Sequence, residues 1–575
     1  MKAKAALGPA LAIAGVLAAT IPLSALRKAK DAHNGDPQIV DLSLTVSPEL
    51  PCVWPVGMTP YMITQTHTLD LDGFRREQVL IDEHTGTQWD APAHFMARPG
   101  SGVEGAGPNG TITSEKVKPW KFLGEACVID VHELAGQAAP GESYAVPPEV
   151  VQEWEKTHRP LRQGDVVVFR ADYSDRYYKP FPAGDRYVRS VLAKKDHAWA
   201  GPDPDCVRYL GQRGVWGFAC DGPSLGPLPN FAVPSHLWAA KMGMIGTEGG
   251  TNFKSLPTTG SLYVLAAAKH AAGSGGEARA FAITNKKLAA RLIAKVREKR
   301  VADLSVVLTD DHPVTWQGFA PGREAARYFG KTLNEFNPAR GPYFARTHVL
   351  DSQVGTHCAA SAHVLPPKDF NRSRYSKQVQ SWLKKYEAAH GPLPSGGLFA
   401  DQLPLNELMG KIRLIDLRSV IGSTKKADWP ASPMITAAHL KAAEEKTGAL
   451  GRGEVVLLHT GYVDTRFKPL PDAKQFFADP LAGESEGWPA LTLDALDYLG
   501  KKGVRCIAID SPTAGGVDPE HAQMVSWFAA SRRLHVVEFL SGLEAVAKEK
   551  DAFFLFAPIK IRNSTGGYGR ALAVY

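Results

Sequence analysis

Apolar residues fall into two rhythms along the chain. Short runs rich in β-branched residues, at 127–130, 166–169, 455–458 and 506–510, have the length of buried strands. Between them lie helix-like segments such as 236–243 (HLWAAKMG). Residues 286–300 (KKLAARLIAKVREKR) place apolar side chains at 288, 292, 293 and 296, which predicts a helix with its bases on the outer face. This alternation predicts a mixed α/β protein. Residues 5–26 carry no charge and follow Lys2 and Lys4, a pattern expected of a secretory signal or a membrane anchor.

The pattern occurs twice. DLSLTVSPELPCVWP from Asp41 answers DLSVVLTDDHPVTW from Asp303, with Asp-Leu-Ser and Pro-x-x-Trp in register. Further collinear matches join 124–131 to 410–417, 162–175 to 451–464, 214–226 to 503–515 and 262–283 to 554–574. So many matches in one order mean a tandem duplication. The expected organisation is an N-terminal targeting segment (1–35), a first domain (36–283), a basic linker helix (284–300) and a second domain (301–575). A chain of 575 residues is too long for one core, which agrees.

Charge narrows the functional classes. Of the net +7, residues 1–31 hold +4 and residues 286–300 hold +6, leaving −3 for the rest. No basic face for nucleic acid is expected. The six cysteines are scattered without a CxxC pair, so neither a zinc ribbon nor a disulfide framework is indicated; Cys127 and Cys220 sit in apolar runs as buried thiols.

Candidate chemistry is concentrated in 84–95, HTGTQWDAPAHF. His84, Gln88, Asp90 and His94 alternate, but an extended chain would hold His84 and Gln88 roughly 13 Å apart. Gly86 permits the bend that one shared ion would need, and Pro92 breaks any helix through Ala91. Imidazole nitrogen with carboxylate oxygen suits zinc or manganese. Downstream, SHLWAAKMGMIGTEGG offers His236 and Glu248, with Ser235 expected to cap a short helix whose following strand returns His236 towards Glu248.

The first stretch resembles the HxGTHxDxPxH motif of the cyclase family, which includes bacterial kynurenine formamidases and isatin hydrolase. The opening Asp-Leu-Ser, the 164–169 strand, Asp-x-Pro-Ser at 221–224 and the His236/Glu248 spacing extend the resemblance over nearly all of each half. It implies two tandem α/β domains of the swivelling β/β/α type, paired as an intrachain pseudo-dimer that could oligomerise further. It implies metal-dependent hydrolysis of a small amide. His84, residue 88 and Asp90 would hold one metal, Asp90, His236 and Glu248 a second, and His94 would act as acid and base.

Two departures matter. Gln88 stands where the family has His, so a single metal is the expectation. In the second half Gln353, Ala359, Ser361 and Ser526 stand for His84, Asp90, Pro92 and His236, while His357, His363 and Glu538 persist. His521 lies five positions from Ser526, a shifted helix away from substituting. The second half is expected to be inactive and to serve by packing on the first. Trp54, Trp89 and Phe95 could stack on an aromatic substrate or simply fill the core. A ligand-binding pseudoenzyme and a cyclising or dehydrating lyase are the alternatives.

Overall fold

The computed structural model describes residues 38–315 and 328–575. The expected targeting segment, and whatever membrane contact or export it provides, lies outside them. No helix among the described residues is long and apolar enough to cross a membrane.

Each half builds the same closed sheet. In the first, Leu123–Asp130, Asp165–Arg170, Gly217–Cys220 and Ile245–Glu248 run parallel in that order. Gln88–Asp90 then pairs antiparallel with Ile245–Glu248 on one side and Gly275–Ile283 on the other. Leu262–Ala267 joins Gly275–Ile283 back to Leu123–Asp130 and closes the ring. Ile39–Asp41 adds an outer strand to Gly275–Ile283. The second half repeats this order through Gly410–Asp416, Val455–His459, Cys506–Ile509, His535–Glu538, His357–Ala359, Gly566–Val574 and Phe553–Pro558, with Val301–Asp303 outside. The parallel strands are buried on both faces, which explains their continuous Val/Ile/Leu runs.

The halves are joined by a second sheet. Arg76–Asp82 pairs antiparallel with Phe344–Asp351, flanked by Met62–His67 and Phe329–Glu335. Leu80 lies opposite Val349, its counterpart in the duplication, so a local two-fold axis passes between them. The contact is therefore the self-complementary kind made by two identical subunits, here within one chain.

The Asp-Leu-Ser opening has a structural cause. Asp41 pairs with Arg279 at 2.9 Å and with Lys560 of the other half at 2.7 Å. Asp303 does the same with Arg570 at 2.7 Å and Lys269 at 3.0 Å. Burial alone would raise both carboxyls, but these cations hold them below the usual range. The following serines, Ser43 and Ser305, donate to the carbonyls of Ala280 and Ala571.

The helix between the halves spans Lys286–Arg297 and buries Leu288, Leu292, Ile293 and Val296 in a core shared by both barrels. Its bases are not simply solvated. Arg297 reaches Glu125 and Asp165 of the first half, and Lys295 reaches Asp551 of the second. The segment thus clamps the barrels, and the described residues pack as one compact unit.

Asp221, from the Asp-x-Pro-Ser stretch, is 2% exposed and accepts from the Ala171 amide at 2.9 Å. Burial pushes its carboxyl up to about 8. A carboxyl raised on folding favours the native state most below its unfolded pKa and loses that advantage as pH climbs towards the folded value. Asp221→Asn is therefore expected to leave stability at pH 4 nearly unchanged and raise it at pH 8 by on the order of a few kcal/mol. Denaturant melts at both pH values check this; an Asn variant less stable at pH 8 would refute it.

Candidate metal centre

Local structure bends the motif as its glycine allows. Gly86 adopts φ +67°, and a Cβ there would meet Val46 Cγ2 at 2.7 Å. The chain turns between His84 and the strand Gln88–Asp90, then enters a 3-10 turn, Pro92–His94. Alternation on that strand sends Gln88 and Asp90 to one face and Trp89 to the other, where Trp89 packs edge-on to Phe122 in the core. Trp54 packs edge-on to Trp199, whereas Phe95 lies against both His94 and His236, with ring centroids 4.5 and 4.2 Å away.

The helix carrying His236 spans Ala232–Lys241, so Ser235 lies inside it rather than capping it. Pro234 falls in the first turn, where no backbone donor is needed, so helix can begin before it. Ser235 instead donates to the Pro202 carbonyl at 2.9 Å. In the following strand Glu248 stands opposite Gln88 and Gly246 opposite Asp90.

These elements bring His84, Asp90, His94, His236 and Glu248 together, all buried. Two overlapping donor groups result: His84, Asp90 and His94, and Asp90, His236 and Glu248, each with ligand atoms within 4.8 Å of one another. Asp90 is common to both. Gln88 sits beside them, its amide nitrogen donating to Glu248 Oε2 at 2.6 Å and its Oε1 buried without a partner.

Hydrogen bonds set the histidine tautomers. Ser274 Oγ lies 2.9 Å from His84 Nε2 and itself donates to Glu83 at 2.6 Å. The hydroxyl's proton being spent, His84 Nε2 must donate, which leaves Nδ1 facing Asp90 at 3.3 Å. His236 Nδ1 donates to the Ala232 carbonyl at 2.5 Å, leaving Nε2 to face Glu248 at 3.0 Å and Asp90 at 3.4 Å. His94 Nδ1 donates to the Phe344 carbonyl at 2.5 Å, leaving Nε2 3.9 Å from Asp90. Three imidazole nitrogens thus converge on the Asp90 carboxylate, each ring's other nitrogen already being committed. A buried carboxylate ringed by imidazoles requires positive charge, carried either by a ring proton or by an ion between them.

The titration behaviour expresses the same demand. Burial disfavours charge on His84, yet Asp90, Asp82 and Glu83 raise it to about 9, and His236 also shifts upward beside Glu248 and Asp90. Burial and the neighbouring His84 push His94 down to about 3, keeping it neutral. A cation suits this donor set.

Several supporting residues carry no local signal in sequence. Phe344, whose carbonyl orients His94, and Tyr343, 6.0 Å from the His94 ring, come from the second half. His348, also from that half, holds Glu83 at 2.9 Å behind Ser274. The arrangement is reciprocal: His363, the counterpart of His94, donates to the Arg75 carbonyl, and Phe74 lies 5.5 Å from its ring. Phe74 and Arg75 match Tyr343 and Phe344 in the duplication.

The family model described as "Putative cyclase" matches residues 40–227 and 302–515, most of both halves. The chain belongs to the cyclase family, in tandem duplicate. Among cyclase-family relatives, isatin hydrolase of Roseibium aggregatum is 24% identical over 264 residues, covering 44% of this chain and 94% of that protein. Solved isatin hydrolase A structures from Labrenzia aggregata and Ralstonia solanacearum are each 26% identical over 43% of this chain. They are covered to 93% and 91%, with TM-scores of 0.36 and 0.35. One relative's length thus fits less than half of this cyclase-family chain, as a duplication requires.

Proposed function

We propose that the first half is a metal-dependent hydrolase of a small aromatic amide, an N-formyl arylamine or a lactam, and that the second half completes its site without catalysing. The convergence of three imidazole nitrogens on Asp90 supports this reading. Asp90, His236 and Glu248 would hold a zinc or manganese ion, with His84 completing the set. Such an ion supplies Lewis acidity towards a carbonyl oxygen and makes water a nucleophile near neutral pH. His94 is the acid and base. With Nδ1 held by the Phe344 carbonyl, its Nε2 takes a proton from the attacking water and returns it to the leaving nitrogen. Phe95 and Tyr343 supply aromatic faces for the substrate. The space among Asp90, His94, Phe95 and His236 is about 10 Å³, room for one water, so an aromatic substrate enters by displacing Phe95.

One observation favours a binding-only reading: Gln88 ties up Glu248, a carboxylate needed for the ion. The two readings separate in labelled water. Hydrolysis of N-formylaniline or isatin places one solvent oxygen in the carboxylate product, and His94→Ala stops it while leaving substrate affinity in place. A ligand bound tightly but recovered unlabelled and unchanged would establish the pseudoenzyme, and a cyclised or dehydrated product the lyase.

Gln88→His restores the family's nitrogen ligand and frees Glu248 from its amide. Zinc affinity is expected to rise by about tenfold or more in chelator competition. Unchanged or weaker affinity would place residue 88 outside the metal's reach.

A further inference from the structure

The matching region of the second half is not a smaller version of the first. Ala359 stands for the shared aspartate and Ser526 for the helix histidine, and both line a cavity of about 530 Å³. That size falls within the range of small-molecule sites. No group able to hold a metal occurs there among the described residues. His357, the histidine that the first half lacks at Gln88, has both ring nitrogens engaged, by the Gly355 carbonyl at 2.8 Å and Glu538 at 3.3 Å. Replacing an acid and an imidazole by Ala and Ser removed charge and bulk while the barrel, helix and sheet around them stayed.

The walls specify a kind of guest. Phe74 and Trp488 provide aromatic surface, and Leu398, Leu481, Val364 and Val525 provide aliphatic surface. Both guanidinium groups in the wall are paired, Arg76 with Asp351 and Arg533 with Glu407 at 2.7 Å, so neither is offered to an anion. Among the described residues of the wall, Gln523 presents a buried amide nitrogen without a hydrogen-bond partner. A buried amide left without a partner is costly unless a ligand acceptor meets it. We propose that the second half is a metal-independent binding site for a neutral aromatic molecule bearing a carbonyl, its rings against Phe74 and Trp488 and its oxygen accepting from Gln523. This site stands whether or not the first half hydrolyses amides.

Benzophenone, a neutral aromatic ketone that photo-cross-links, tests the proposal on the full chain carrying Asp90→Asn, which silences the first site. Illumination followed by peptide mapping is expected to place the adduct in residues 72–76, 353–364 or 481–538, with acetanilide protecting against it. Calorimetry with acetanilide is expected to show one site per chain. Ser526→Phe and Ala359→Leu, which fill the cavity, should each weaken binding by about tenfold or more, and Gln523→Leu by about fivefold. Benzoate should bind at least about tenfold more weakly than acetanilide, because its charge meets no unpaired cation. Adducts confined to residues 91–95 or 225–246, or scattered over the surface, would overturn the proposal, as would benzoate binding more tightly than acetanilide. The mapping needs no cavity variant, so it still decides the matter if Ser526→Phe or Ala359→Leu misfolds.

Discussion

If the first half is the amide hydrolase proposed above, Asp90→Asn is expected to lower its turnover by at least about a thousandfold and to abolish metal binding, because both donor groups share this one carboxylate. The charge, not the shape, is what the variant removes. Asn keeps one oxygen acceptor, but its NH₂ would face His84 or His236, and the cluster loses the negative charge that offsets a divalent ion. Folding is read separately, because the variant also takes from the buried His84 and His236 the carboxylate that they face. Metal content per chain, circular dichroism and turnover together read the outcome. His363→Ala in the second half is the matched control and should leave metal content unchanged. Full metal occupancy in Asp90→Asn would mean that the ion sits elsewhere.

Separating the halves should make activity depend on protein concentration. A chain of residues 38–300 would expose the Arg76–Asp82 edge and the core shared with the second barrel, and would leave Asp41 without Lys560. It would also leave His94 without the Phe344 carbonyl. The duplication offers one escape. Two copies can pair Arg76–Asp82 with itself about Leu80, and the Arg75 carbonyl of one copy can then orient His94 of the other. The expected result is an active homodimer whose activity falls on dilution, with an inactive monomer. Sedimentation and activity measured across a concentration series check this. An active monomer would show that the second half contributes nothing to the site.

Both expectations rest on the pseudo-dimer, which is only partly legible in sequence. Collinear repeats such as 162–175 and 451–464 reveal the duplication because strand hydrophobicity and turn glycines are local properties. The bend at Gly86 and the split of Gln88 and Asp90 from Trp89 are readable for the same reason. The helix start before Pro234 is not, since a first turn tolerates proline wherever tertiary packing places it.

The sequence by itself determined the family and the doubling, and it named the His, Asp and Glu side chains that the fold brings together, because residue type and spacing carry that chemistry. Only the tertiary structure decided how each histidine is turned and what each half lends the other. Backbone carbonyls such as those of Phe344 and Arg75 exist at every position, so no residue letter marks them as histidine partners. Likewise, Ala359 and Ser526 read in sequence as lost ligands. Whether such losses collapse or open a cavity depends on how rigidly the surrounding barrel holds, and here it left about 530 Å³ of space.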